Sequence, residues 1–98
     1  MKRIEWNNDK NIFLKKERNV SFEDVVVKIE AEDLMDILSH PNSKKYPNQK
    51  IFIISFDDYV YLVPFVEDDD KIFIKTIIPS RKYTKIYLNN KHEKNIKK

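Results

Sequence analysis

Between Lys50 and Ile78 three runs of Ile, Val, Phe and Tyr follow one another with only short acidic breaks between them. Asp57 and Asp58 alone part Lys50 to Phe56 from Tyr59 to Val66, and Glu67 to Asp70 separates that second run from Lys71 to Ile78. Short segments rich in β-branched and aromatic residues are strands rather than helices. A two-residue break leaves room only for a hairpin, so the chain is committed to an antiparallel meander. Both faces of these strands carry apolar residues, which calls for helices over one face and a second cover over part of the other. Pro64 has no N–H to give to a ladder, and this places an edge or a bulge beside it.

Upstream, Lys2 to Trp6 reads as a short strand ended by Asn7, Asn8 and Asp9. Asn8 suits the N-cap of a helix from Asp9 to about Arg18, with Ile12 and Phe13 on its buried side and Lys10, Lys15 and Lys16 toward water. Asn19 stands where helices usually end on glycine, and asparagine is the next best residue for the left-handed conformation. Ser21 opens a second helix, with Asp24 three positions on completing a capping pattern. Phe22, Val25, Val26 and Ile29 then fall on one stripe. Leu34 to Ser39 reads as a strand, His40 to Lys50 as a loop with two prolines, and Ser80 to Leu88 as a short terminal helix. The expected fold is α+β over residues 1–88: a short N-terminal strand, two helices on one face, an antiparallel meander sheet and a short C-terminal helix. Residues 89–98 form a basic tail, expected to be disordered.

With 98 residues the chain makes one domain with one modest core. It has no cysteine and no glycine. That excludes disulfides, thiolate chemistry and glycine-rich phosphate loops. No apolar run approaches the ~20 residues that cross a bilayer, and the charged N-terminus has no apolar segment behind it. A soluble, cytoplasmic protein without membrane association is expected. The net charge of +3 lies wholly in the tail, where four lysines meet one glutamate, so the body is neutral and any polyanion site within it must be local.

The local candidate is Lys71 to Leu88, a strand that delivers Arg81, Lys82, Tyr83, Lys85 and Tyr87 just past its end. Arg81 stands out because a guanidinium offers planar, bidentate recognition of phosphate. Lys75 alternates with Phe73 and Ile77 on the strand, so it belongs to their face, either near an exposed edge or partly buried, where desolvation suits a lysine to acid–base work. His40, the one histidine in the body, can shuttle a proton or serve as a structural residue before Pro41. Tyr46 and Tyr83 can stack on splayed bases or donate a hydroxyl proton, and Tyr46 can equally pin its loop to the sheet. Lys82 and Lys85 offer phosphate contacts, Lys10 an outlying one, and Trp6 an anchor between the first helix and the sheet. No His, Asp or Glu cluster has metal-ligand spacing, so neither a metal nor a cofactor is expected.

Three motifs carry a resemblance: Glu5, Trp6 and Asn7 followed by Lys10; the NVSFED run from Asn19 to Asp24; and IIPSRKYT from Ile77 to Thr84. In this order and spacing, with the HPN and YPNQ pieces near His40 and Tyr46, the chain from residue 3 to 88 resembles the BrnT family of bacterial toxins from type II toxin-antitoxin systems. The resemblance implies a fold similar to that of RelE-type ribonucleases, and a metal-independent endoribonuclease that inhibits translation and growth. In that reaction the 2′-hydroxyl attacks the adjacent phosphate, which needs a base, an acid and cations for the phosphorane charge. The resemblance implies Arg81 as a catalytic cation, and the residues themselves offer Lys75, His40 and Tyr46 as further catalytic candidates and Lys82, Tyr83, Lys85 and Lys10 as RNA-binding ones. It also implies a cognate antitoxin, a small ribbon-helix-helix DNA-binding protein that buries the toxin's site in a hetero-oligomer and alone contacts operator DNA. Thr76 stands where the family commonly has an arginine, and no glutamate accompanies Tyr87. These two positions leave a second reading, a non-catalytic interaction module that works only by binding its partner.

Overall fold

The computed structural model describes residues 2–89, so the expected tail, apart from Asn89, lies outside the described residues. Asp57 and Asp58, at φ 51° and 62°, turn β3 (Gln49–Phe56) directly back on β4 (Tyr59–Glu67). Both central residues of such a two-residue turn must take positive φ, the pattern that matches the twist of the flanking strands. β5 (Lys71–Ile74) continues the meander, and β2 (Asp36–Ser39) pairs antiparallel on the far side of β3. β1 (Arg3–Trp6) lies against β5, giving the order β1-β5-β4-β3-β2. Arg3 faces Lys71 and Trp6 faces Ile74, with the two strands parallel. The sheet is therefore mixed and not wholly antiparallel. The helices carry the chain from β1 to the opposite edge, and the meander returns alongside β1 in the same direction.

α1 (Asn8–Arg18) and α2 (Phe22–Glu30) pack on one face of this sheet. Leu14, Val20, Phe22 and Val25 meet Phe52, Ile54, Val63, Phe65 and Ile74 there, with Ile77 joining them. The Phe52 and Phe65 rings stack at 3.9 Å, and Trp6 lies 5.8 Å from Phe22. Side chains as fully buried as Leu14 and Phe22 contribute on the order of 1.5–3 kcal/mol each.

The caps decide how the helices sit. Ser21 Oγ accepts from Asp24 N at 3.1 Å, and Asn19 takes the left-handed C-cap position at φ 56°. The first helix is capped by Asn7, whose side chain accepts from Lys10 N, and not by Asn8. Its buried residues are Asn11 and Leu14, whereas Ile12 and Phe13 are 56% and 49% exposed. The reason is polar. Asn11 Oδ1 accepts from Phe22 N at 2.8 Å, and its amide donates to Glu23 Oε1 at 2.7 Å. The opening turn of α2 has backbone N–H groups without intrahelical partners. Asn11 supplies one of them from the neighbouring helix, and turning it inward turns Ile12 and Phe13 out.

The run from Lys71 to Ile78 is two strands rather than one. Phe65 faces Ile74 in the β4–β5 ladder, and Leu62 faces Ile78 where β6 (Ile78–Pro79) rejoins β4. Between these pairs Val63 and Pro64 oppose Lys75, Thr76 and Ile77, one residue more than they can match. This is a bulge. Pro64 O accepts from Lys75 N at 2.8 Å, but Pro64 has no N–H to return. The extra residue reverses the alternation, so Ile74 and Ile77 both enter the core while Lys75 stays exposed. Lys75 therefore shares its face with Phe73 but not with Ile77. Arg18 Nη1 locks the bulge by donating to Ile77 O at 2.6 Å.

The terminal helix supplies the second cover. Ser80 caps α3 (Arg81–Thr84), which continues as a π-helical turn over Lys85–Asn89. Ser80 N donates to Val60 O, and Thr84 Oγ1 accepts from Val60 N, both at 2.9 Å. Tyr87 Oη donates to Asp36 Oδ2 at 3.0 Å on β2, roughly ~10 Å across the sheet from β4. The helix thus crosses β3 on the face opposite α1 and α2. Val60 and Ile53 are fully buried yet stand outside the helix-side core. The rest of this face is open, with Phe73 36% and Ile78 40% exposed.

Two substitutions test this account. Replacing Asp57 and Asp58 by Asn and Gly should raise stability in urea melts by about 1 kcal/mol, because Asn-Gly takes the left-handed pair with less strain. Asn11→Ala should cost about 2 kcal/mol by leaving Phe22 N buried without an acceptor.

Candidate functional site

On the open face, the cross-strand pair Ile51 and Pro64 lies in a groove of about 270 Å³. Gln49, Lys75, His40 and Pro41 also line it, and no carboxylate does. The register explains the company. Gln49, Ile51 and Pro64 belong to this face by alternation, and so does Lys75 by its alternation with Phe73, with its Nζ 3.5 Å from Gln49 Oε1. His40 N donates to Gln49 O at 3.1 Å, which carries the chain one residue past the end of β2 and over the groove.

The loop after His40 holds that ring in place. His40 Nδ1 accepts from Asn42 N at 2.9 Å, so in the neutral imidazole the proton sits on Nε2, which is a donor. Tyr46 packs on the imidazole with ring centres 4.7 Å apart. Tyr46 N donates to Asn42 O, and Lys45 Nζ lies 5.4 Å over the phenol ring. Tyr46 therefore both braces His40 and pins its loop.

The remaining cations occupy the terminal helix. Arg81, Lys82 and Lys85 are exposed and enter no ion pair among the described residues. No Asp or Glu occurs from Lys71 to Asn89. Tyr83 stacks on Tyr87 at 6.0 Å with Lys82 5.7 Å from its ring. Burial, and then the Asp36 carboxylate it bonds, hold the Tyr87 hydroxyl above its usual pKa.

The candidates thus fall into three places. His40, Tyr46 and Lys75 come together at the groove. Arg81, Lys82, Tyr83 and Lys85 share the neighbouring helix on the same face, where Ser80 pairs with Val60, four residues or roughly ~13 Å along β4 from Pro64. Arg81 does not line the groove. Lys10 is on α1, across the sheet, with its ammonium 5.7 Å from the Phe13 ring. Gln49 was not legible as a site residue, because nothing in its local sequence marks it. Only the strand register brings Lys75 to it.

A second polar pocket, of about 290 Å³, gathers Lys2, Lys50, Glu67, Asp68 and Asp69. Here two lysines meet three carboxylates, so the pocket is not cationic. Glu67 Oε2 accepts from Lys2 Nζ at 2.8 Å, and Lys50 Nζ is 3.6 Å from Glu67 Oε1. Asp68 Oδ1 accepts from the amides of Asp70 and Lys71, both at 2.8 Å, closing the acidic turn on itself. Among the described residues no three His, Asp or Glu side chains are grouped to hold a metal ion, and no helix is long and apolar enough to cross a membrane.

Lys2, chiefly through its hydrogen bond, holds the Glu67 carboxyl below the usual glutamate value of 4.5. A lowered folded-state pKa stabilises the fold above the unfolded value, and that stabilisation fades as pH falls through the folded one. Urea midpoints should therefore drop below about pH 4.5, and Glu67→Gln should flatten that drop. Compared with known proteins, the chain matches no family model, no curated protein and no solved structure.

Proposed function

We propose that the chain is the toxin of a type II toxin-antitoxin system, a BrnT-like protein with a RelE-like fold. It acts in the cytoplasm as a metal-independent endoribonuclease and inhibits translation and growth by cleaving RNA. One observation carries this reading. The open sheet face combines a carboxylate-free groove lined by His40 and Lys75, with Tyr46 packed on His40, and a helix whose Arg81, Lys82 and Lys85 enter no ion pair among the described residues. Such a surface attracts a polyanion even though the body is neutral overall. The order of strand, two helices, meander and terminal helix is the α+β order expected from the residues themselves.

The reaction follows from the donors available. The 2′-hydroxyl of one nucleotide attacks the adjacent phosphorus, and the 5′-oxygen of the next leaves. His40 Nε2–H hydrogen-bonds the leaving oxygen, which takes its proton from solvent, and Tyr46 fixes the ring for that contact. Arg81 and Lys75 offset the charge of the phosphorane. The 2′-hydroxyl proton passes to solvent water. Lys82, Lys85 and Tyr83 hold the flanking strand. The antitoxin, a ribbon-helix-helix protein, covers this face in the complex, where Phe73 and Ile78 offer it apolar contacts.

The second reading, a non-catalytic interaction module, draws on the offset of roughly ~13 Å along β4 between the Arg81 end of the helix and the groove. Cleavage of a defined RNA by the purified protein in chelator separates the two. The wild type should cleave, and Lys75→Ala combined with Arg81→Ala should slow cleavage by about a hundredfold or more. An unchanged rate in that variant would sink the catalytic assignment, and a folded wild type that binds RNA without cutting it would favour the module.

A further inference from the structure

We infer that the groove at Ile51 and Pro64 is a base-reading subsite, which seats one unpaired adenine of an RNA strand and reads it with the Gln49 amide. This inference deepens the ribonuclease reading and rests on it. Four observations converge. The groove, about 270 Å³, falls below the ~300–1,000 Å³ of sites for drug-sized ligands, which limits its occupant to something near the size of one base. Ile51 and Pro64 face each other across β3 and β4, and supply an apolar surface against which a flat ring can lie. The lining has lysines and a histidine but no carboxylate, so the phosphate attached to the base meets no repulsion. Gln49 is the one side chain of the lining with both a neutral amide donor and an amide acceptor.

Lys75 sets what Gln49 can read. Its ammonium is 3.5 Å from Gln49 Oε1, which orients the amide and occupies one of the two lone pairs on that oxygen. The free lone pair and the Nε2–H donors remain. Glutamine pairs in this two-fold way with the N6 amine and N7 of adenine; cytosine offers a like pair at N4 and N3, but on a single ring that covers less of Ile51 and Pro64. The same lysine lines the groove, so base reading and cleavage share one place. Single-stranded RNA is the form that fits, because its bases are free to be splayed out and read on their edges.

The test uses short 2′-O-methyl oligonucleotides, whose blocked 2′-oxygen prevents cleavage, and reads binding to the full-length protein by fluorescence anisotropy. The oligomer of adenine should bind about tenfold or more tightly than those of uracil or cytosine. Substituting 7-deazaadenine, which lacks the N7 acceptor, should remove most of that preference on the wild-type protein. Gln49→Leu should bring the three sequences to near parity, with its thermal melt confirming that β3 still folds. Equal binding of all three sequences, or a preference untouched by 7-deazaadenine, would overturn the subsite while leaving the ribonuclease reading in place. Failure to bind any oligomer at low salt would remove the ribonuclease reading and this inference together. Adenosine monophosphate competing as tightly as the oligomer would assign the groove to a free nucleotide and overturn its assignment to a strand.

Discussion

The missing N–H of Pro64 is the constraint on which the open face depends. A strand facing it cannot complete the ladder, so the chain from Lys71 onward takes one residue too many between Ile74 and Ile78. That single residue has two results. Ile77 goes into the core beside Ile74, while Lys75 keeps the face it shares with Phe73, and the short β6 returns along β4 until Ser80 reaches Val60. The terminal helix is capped there and crosses to Asp36. A regular ladder would have put Lys75 and Ile77 on one face, with an isoleucine exposed.

A comparable polar constraint governs the other face. Asn11 is almost fully buried in a helix whose neighbouring residues are Ile12 and Phe13, which apolarity alone would bury. Its amide is satisfied at both ends, by Phe22 N and by Glu23. The same bond is the main reason the Glu23 carboxyl is held below its usual range. A buried amide N–H left without an acceptor costs about 1–3 kcal/mol, comparable with what half-exposing an isoleucine and a phenylalanine forgoes. The orientation of α1 thus follows from the backbone needs of α2.

Because the two faces are covered so differently, their chemistry differs too. α1 and α2 leave no opening over Phe52, Ile54, Val63 and Phe65, whereas the terminal helix covers Val60 and Ile53 and stops short of Ile51 and Pro64. What remains uncovered is bordered by a loop that closes on itself through Asn42 and by a helix free of acids. Glu67 is spent against Lys2 and Lys50 and Asp68 closes its own turn, while Asp36 meets Tyr87 at the far end of the terminal helix, so none of the three lines the groove. A chain neutral over residues 1–88 can in this way present one locally cationic surface.

The elements themselves were legible in the sequence wherever a local signal fixes them. Ser21 and Asn19 mark helix ends by their own side chains and backbone, the stripe from Phe22 to Ile29 marks a face, and a two-residue break between apolar runs can only be a hairpin. Pro64 announced a bulge, but not which partner residue would be the extra one. The inward turn of Asn11, the parallel pairing of β1 with β5, and the meeting of His40 and Gln49 with Lys75 were not legible. Each joins residues distant in sequence, and no local spacing encodes which strands become neighbours. The sequence by itself determined the caps, the turns and the amphipathic helix, since these are settled within a few residues by hydrogen bonding and backbone sterics. The tertiary structure decided which face each cation occupies, because that rests on a long-range register which one residue opposite a proline is enough to invert.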